Sequence, residues 1–181
     1  MKAILFCILS LPLVALSRRV LFKLKKPGLY RLVVWECILW LAIQNHRYLI
    51  VEEFDLQQLI SSALMIASLV FVLSAVLTMR KKGKVSKQRR DQTLFGFEKT
   101  TVLIETGIFK YVRHPMYSSL IFLAWGFLLR NIEVALLIVA LIATCSGIFA
   151  ALMEEKENIA YFGERYRHYT LKTKMFIPYV I

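Results

Sequence analysis

The chain has 181 residues, 58% of them hydrophobic, and its 24 Lys and Arg against 12 Asp and Glu give a formal net charge of +12. Soluble domains are nearer half apolar and spread their apolar residues with an amphipathic period, whereas this sequence places them in blocks between short charged stretches. The composition therefore argues against a soluble domain. It favours a small integral membrane protein whose length suits one helical bundle.

Five apolar blocks predict an all-α fold, a polytopic transmembrane helical bundle of about five spans. A helix that crosses a bilayer needs about 20 residues. The third and fifth blocks reach that length, and the other three are shorter. In chain order the blocks are Ala3–Leu16, Leu29–Ile43, Leu56–Met79, Met116–Leu129 and Val134–Leu152.

The first block has a second interpretation, as a cleaved signal peptide. It follows Lys2 and ends in an Ala-Leu-Ser run at 15–17, which resembles a cleavage site. Only one basic residue precedes the block, however, and Arg18 and Arg19 follow it at once. By the positive-inside rule, this pattern favours a retained helix whose C-terminal end is cytoplasmic.

Basic residues concentrate in two segments, 18–26 and 80–90, which directly flank apolar blocks. Such residues orient a membrane protein and contact anionic lipid, so we expect membrane lipids and no nucleic acid as partners. With both segments in the cytoplasm, five spans place the N-terminus and the acidic Gln44–Asp55 loop outside and the C-terminus inside. Nothing in the sequence indicates an oligomeric state.

Two further segments are predicted to lie on the cytoplasmic surface, Leu94–Val112 and the amphipathic Glu154–Tyr169. Residues 1–93 then form the N-terminal helices with the basic loop. Residues 94–181 carry the concentrated polar chemistry, and the two parts make one structural domain.

The sequence lacks the signatures of a soluble nucleotide-binding enzyme and of a metal site. Its seven glycines form neither GxGxxG nor P-loop spacing, and no HExxH run occurs. The three cysteines lie in apolar blocks without CxxC spacing, and the three histidines are far apart. We therefore predict no metal, and a bound cofactor would not lie on a Rossmann turn.

A polar run at 107–117 precedes the fourth apolar block. It contains Arg-His-Pro at 113–115, and Pro is favoured as a first helical residue. The helix would begin with free N–H groups that attract an anion, and Arg113 adds a positive charge beside them. The alternative is a snorkelling Arg and an interfacial His at an ordinary Pro-started helix.

A second polar cluster, Glu-Glu-Lys-Glu at 154–157, ends the fifth block. Glu154, Glu157 and Tyr161 share one helical face, whereas Glu155 points about 100° away and is expected to be a neutral control position. Carboxylates near lipid are costly unless they are paired or bound to a ligand. The alternative is a solvated helix end balanced by nearby basic residues.

The two clusters flank a short helical hairpin. The turn between its arms is only Arg130–Glu133, so the arms are antiparallel neighbours whose cytoplasmic ends lie close together. Arg113 and His114 would then face Glu154 across a small pocket. This arrangement favours a joint functional role over a separate one for each cluster.

The ordered motifs of the second half resemble those of one family. The run at 107–117 is followed by Glu-Glu at 154–155, by Tyr-Phe-Gly-Glu-Arg-Tyr at 161–166 and by Ile-Pro at 177–178. This combination is similar to the isoprenylcysteine carboxyl methyltransferase and phospholipid methyltransferase group. The resemblance covers about 100–178, and the residues before it carry only a general membrane pattern.

The resemblance implies a membrane-embedded methyltransferase that takes S-adenosylmethionine (SAM) from the cytosol and a lipophilic acceptor, such as a carboxylate, from the bilayer. It implies catalytic roles for Arg113, His114 and Glu154. The cofactor contacts that it implies are Thr101, Val102, Leu103, Ile104, Phe109, His114, Pro115, Met116, Tyr117 and Glu154.

Two positions depart from the family pattern. Phe109 stands where a Tyr is usual, so one hydroxyl contact is lost. Ala150 stands where prenylcysteine methyltransferases carry an Arg that is thought to meet the substrate carboxylate, which argues against a prenylcysteine acceptor.

Two other functions remain open from the sequence. Membrane steroid reductases end in a similar motif, so an NADPH-dependent reductase is one alternative, and the cofactor that binds would discriminate between them. A non-catalytic membrane interaction protein is the other, and it predicts that changes at His114 and Glu154 have no effect on its role.

Overall fold

The computed structural model describes residues 1–18, 26–49, 55–83 and 101–180. Within these ranges the protein is all-α, as predicted, apart from one isolated bridge between Val112 and Lys174. The helices are α1 (Lys2–Ser17), α2 (Pro27–Asn45), α3 (Leu56–Lys82), α4 (Pro115–Leu128), α5 (Val134–Phe162) and α6 (Glu164–Lys172), with 3-10 helices at His46–Tyr48 and Gly107–Lys110.

Local sequence signals explain where several helices begin and end. Pro27 and Pro115 open α2 and α4, where their missing N–H is not needed. The Asp55 carboxylate accepts a 2.7 Å hydrogen bond from the N–H of Gln58 and caps α3. Gly163, at φ +62°, ends α5. These helix ends lie close to the boundaries of the apolar blocks, except at the end of α5.

The end of α5 differs from the prediction. The sequence suggested a separate surface helix over Glu154–Tyr169, but α5 continues without a break to Phe162, and Gly163 separates it from α6. The reason is that the Met, Glu, Lys and Ala residues after the apolar block are good helix formers. The Glu cluster at 154–157 therefore lies on a rigid continuation of the apolar helix. Of the other predicted surface segment, 94–100 lie outside the described residues.

Among the described residues, α3 and α5 are long and apolar enough to cross a membrane. They have 27 and 29 residues, and their most apolar 18-residue stretches have mean hydropathies of 2.4 and 2.5. Only 17% of that stretch of α3 is buried within the protein, so its outer face needs lipid rather than water. The chain is a membrane protein. Helices α1, α2 and α4 have 16, 19 and 14 residues, and five spans remain a prediction.

Helices α1 and α2 pack antiparallel. The rings of Phe6 and Trp40 meet edge to face with centroids 5.2 Å apart, and Ser10 donates a 2.8 Å hydrogen bond to Glu36. The partner numbers fall along α2 as they rise along α1, as an antiparallel pair requires. The first apolar block therefore packs against the second.

The two sequence halves share one hydrophobic core between α2, α4 and α5. Small residues of α5 let α2 approach closely, and Trp125 of α4 donates a 3.0 Å hydrogen bond to Thr144 of α5 across the predicted hairpin. The buried core residues are Val34, Ile38, Leu41, Ala124, Leu128, Leu136, Ala140 and Ala143. The described parts of α2, α4 and α5 therefore pack on one another, and the division into 1–93 and 94–181 within one domain stays a prediction.

The far end of α4 is held by polar side chains from α2 and α3. A helix leaves its last carbonyl groups without partners in the helix, and here neighbouring side chains donate to them. The pairs are Asn45 with Phe127 and Asn131, Gln57 with Leu129, Gln58 with Arg130 and Ser61 with Gly126. This network fixes the hairpin at the end opposite the Arg-His-Pro segment.

Gly107→Ala is expected to destabilise the protein. Gly107 has φ +64°, and a Cβ there would lie 2.7 Å from Oγ1 of Thr78 on α3. The left-handed conformation costs an L-residue about 1–2 kcal/mol, and overpacking typically adds about 1–3 kcal/mol. Thermal unfolding in detergent measures the loss. In a Thr78→Ala background the same change should cost less, because the clashing atoms are gone; equal costs in both backgrounds would contradict the packing.

Candidate functional site

The Arg-His-Pro segment before α4 is held in place by the C-terminal tail, residues 173–180, which follows α6. The N–H of Arg113 donates to the carbonyl of Lys174 at 2.8 Å, and the N–H of His114 donates to the carbonyl of Met175 at 3.1 Å. The N–H of Lys174 in turn donates to the carbonyl of Tyr111 at 3.1 Å. The tail thus runs parallel to 111–114 and fixes the backbone from which α4 begins.

The guanidinium of Arg113 joins α5 to the tail. Its Nε donates to Oε1 of Glu155 at 2.6 Å, and its Nη1 donates to the carbonyls of Thr170 and Thr173. The two charged side chains are only 10% and 14% exposed. A buried ion pair is stable when further hydrogen bonds satisfy the charges, and here the carbonyls of Thr170 and Thr173 accept from the guanidinium. Arg113 therefore has a structural role.

His114 occupies the N-cap position of α4 without a capping hydrogen bond from its side chain, and only 4% of its surface is exposed. Its Nε2 lies 3.5 Å from Oε1 of Glu155, at the outer limit of a hydrogen bond. Its ring lies beside the rings of Tyr117 and Phe176, with centroids 5.8 and 6.4 Å away. The imidazole is fixed by packing beside the Glu155 carboxylate, and the residue lines the cavity.

The expectation that Glu155 is a neutral control position was wrong. Its side chain contacts Arg113 and His114, whereas Glu154 faces a cavity. The 100° offset between neighbouring helical residues holds. Glu155 is not exposed to solvent because Arg113 and His114, at the start of α4, lie on that side of α5.

The electrostatics of Glu155 favour its ionised form. Burial alone would raise the pKa of Glu155, but hydrogen bonds and positive charge from His114 and Arg113 outweigh burial and hold the pKa below its ordinary value of 4.5. At neutral pH the ionised Glu155 carboxylate therefore stabilises the folded protein, and this stabilisation is lost when the carboxyl is protonated.

The predicted cofactor contacts at 101–104 pack on α6. Leu103 is buried against Tyr166 and Tyr169, and the Tyr169 hydroxyl donates a 2.6 Å hydrogen bond to the carbonyl of Phe109. Burial raises the pKa of both tyrosines, so the hydroxyls stay protonated as donors. Among the described residues that line the cavity, none comes from 101–104, and their role as cofactor contacts stays a prediction.

A cavity of about 250 Å³ opens between α2, α3, α4 and α5. Its lining includes the predicted residues Phe109, Arg113, His114, Pro115, Met116, Tyr117 and Glu154. Six further lining residues were missed by the sequence analysis: Arg31, Trp35, Val72, Met79, Ser119 and Leu120. Arg31, one of two charged residues inside the second apolar block, was the one signal that pointed to them.

The cavity extends from the polar helix ends into the apolar bundle. His114 stands at the start of α4 and Glu154 just beyond the apolar stretch of α5, whereas Val72 lies about 15 Å back along α3 from Lys82. Trp35 and Leu120 give α2 and α4 the same apolar character at that depth. The site therefore offers polar groups at one end and apolar walls at the other.

A profile of the family described as phospholipid methyltransferase matches residues 56–165. The chain belongs to the phospholipid methyltransferase family. The matched segment runs from the first turn of α3 into α6, so it includes the Arg-His-Pro segment, Glu154 and Glu155. It does not include α2, which contributes Arg31 and Trp35 to the cavity.

Two curated relatives match over a shorter stretch. A methanethiol S-methyltransferase of Pseudomonas deceptionensis is 34% identical over 71 residues, which are 39% of this chain and 26% of that protein. A protein of the same name from Crocosphaera subtropica (strain ATCC 51142 / BH68) is 33% identical over 72 residues, 40% of this chain and 28% of that protein. The chain spans about a quarter of the length of these relatives. No solved structure matches.

Glu155→Gln is expected to lower stability at neutral pH by about 1.5–3 kcal/mol, the value of a charge-assisted hydrogen bond. The lowered pKa of Glu155 means that this stability is fully present above pH 4.5 and is lost as the pH falls through the folded-state pKa. Thermal unfolding of the parent and the variant in detergent should therefore converge in acid. The exposed Glu164→Gln is the control. Parallel curves for the parent and Glu155→Gln down to pH 3 would contradict the assignment.

Proposed function

We propose that this protein transfers a methyl group from SAM to a lipophilic acceptor that enters from the bilayer. One observation carries the proposal: a single cavity joins the family motif residues His114 and Glu154 to apolar side chains inside the bundle. A donor from the cytosol and an acceptor from the membrane need a site that reaches both environments. Family membership supports methyl transfer as the reaction.

The cavity residues fit the chemical groups of SAM. Glu154 offers a carboxylate to an ammonium group or to ribose hydroxyls, and Phe109 offers an aromatic face to the adenine. The buried Nε2 of His114 has its nearest protein acceptor only at 3.5 Å. The first-turn N–H groups of α4 have no acceptors within the helix and favour a carboxylate. These residues would hold the cofactor without a Rossmann domain.

The reaction needs alignment more than proton transfer. When bound, SAM supplies a methyl group on a positively charged sulfur that is open to in-line attack. The chain holds the two reactants in register, and the apolar walls at Trp35, Val72 and Leu120 exclude water and receive the acceptor. A thiolate or carboxylate acceptor needs no general base, whereas an amine must first lose a proton.

The names of the relatives and of the family suggest two classes of acceptor. The relatives are named for methanethiol, a small thiol, and the matched family is named for phospholipids. Ala150 is fully buried against Tyr117 and Phe176, so α5 has no room there for the Arg that meets a prenylcysteine carboxylate. This packing supports an acceptor other than prenylcysteine.

The proposed topology has five spans with the cavity end of the bundle in the cytoplasm. The antiparallel packing of α1 on α2 supports it, as do the basic residues at the cavity ends of α2 and α3. In a variant without native cysteines, Lys172→Cys should be labelled from the cytoplasmic side and Asp55→Cys from the opposite side. Labelling of both from one side would exclude the topology. Both positions are exposed, so each is accessible to the reagent.

Glu154→Gln is expected to weaken SAM binding about ten- to a hundredfold, because it removes a charge-assisted hydrogen bond. Calorimetry of the detergent-purified protein measures the affinity, and the thermal stability should hardly change. Glu157→Gln is the matched control, since Glu157 lies one turn further along α5 and pairs with Lys26 at 2.5 Å.

Two outcomes of this calorimetry would count against the proposal. Unchanged SAM affinity in a folded Glu154→Gln variant would show that the site is misassigned. If the parent protein binds NADPH and not SAM, a reductase takes the place of the methyltransferase.

A further inference from the structure

The described lining of the cavity includes two guanidinium groups with different surroundings. Arg113 donates to Glu155 and to the carbonyls of Thr170 and Thr173, so its hydrogen bonds serve the fold. Arg31 lies on α2, with its Cζ 5.9 Å from the centre of the Trp35 ring. Both Arg31 and Trp35 line the cavity. Arg31 is the cation that α2 contributes to the cavity lining.

The packing of α2 on α5 places Arg31 and Glu154 in the lining of one cavity. Lys26 of α2 pairs with Glu157 of α5, and the two helices run in opposite directions. From that pair, Arg31 lies further along α2 toward the bundle interior, and Glu154 lies one turn back along α5 in the same direction. The cavity therefore carries a guanidinium on one wall and a carboxylate on another.

This pair of charges matches an α-amino acid zwitterion. Charges taken from water into a site of low dielectric must be paired and hydrogen-bonded. The planar guanidinium suits a carboxylate because it can donate two parallel hydrogen bonds, and stacking on an aromatic ring orients its plane. A carboxylate such as that of Glu154 suits an ammonium group in the same way.

We propose that Arg31 binds the carboxylate of the methionine part of SAM, opposite Glu154 at the ammonium. The proposal rests on the proposed function and adds a cofactor-binding residue from α2, outside the matched segment. It assigns this task to Arg31 rather than to Arg113, whose hydrogen bonds hold α5 and the segment after α6 in place. A carboxylate on the acceptor is the other source of the same chemistry, and the experiment separates the two.

The test compares two ligands that differ only in the carboxylate, SAM and decarboxylated SAM. Calorimetry in detergent should show that the parent protein binds SAM roughly ten- to a hundredfold more tightly, the effect of a charge-assisted hydrogen bond. Arg31→Gln should abolish this preference, and Arg31→Lys should retain part of it. The matched control is Arg47→Gln, which removes the same charge beyond the far end of α2 and should leave the preference intact.

The outcomes separate this proposal from the proposed function. Equal affinity of the parent protein for the two ligands would overturn the role of Arg31 alone, whether or not the variants fold. So would a full preference retained in Arg31→Gln or Arg31→Lys. If Arg31→Gln retains the preference for SAM over decarboxylated SAM but has a higher KM for the acceptor, Arg31 binds the acceptor instead. Failure of the parent to bind either ligand would overturn the proposed function and this role with it.

Discussion

The contact between Arg113 and Glu155 is the constraint on which the rest of the site depends. One guanidinium joins α5, the start of α4 and the C-terminal tail, with 2.6 Å between its Nε and the carboxylate. At a membrane boundary such charges are costly unless every hydrogen-bonding group has a partner. The carbonyls of Thr170 and Thr173 give the guanidinium further acceptors, and His114, the next residue, lines the cavity.

The adjacent residues Glu154 and Glu155 of α5 have different contacts. Successive residues of an α-helix point about 100° apart. Glu155 therefore meets Arg113, and Glu154 meets the cavity. The Arg113–Glu155 ion pair adjoins Glu154 in the chain and fixes the position of this part of α5. This rigidity suits a reaction in which alignment of two reactants is the main requirement.

The sequence was sufficient for the features that depend on local signals. The order of apolar blocks, Pro at the start of α4 and the short turn at 130–133 predicted the hairpin and brought His114 and Glu154 together. It was insufficient where a neighbouring helix decides the outcome. Whether Glu155 meets solvent or Arg113, and whether Arg31 meets lipid or a cavity, depends on how α2 and the tail pack on α5. An apolar block with no clear period does not encode that packing.

The most direct test of the proposed function is to detect methyl transfer itself. The purified protein, incubated with membrane lipid extract or small thiols and SAM that carries a deuterated methyl group, can be followed by mass spectrometry of the products. We expect a lipophilic product that bears the labelled methyl group. This product should be absent when the protein is heat-denatured. If the folded protein yields no labelled product from lipids or from thiols, methyl transfer to a lipophilic acceptor is contradicted.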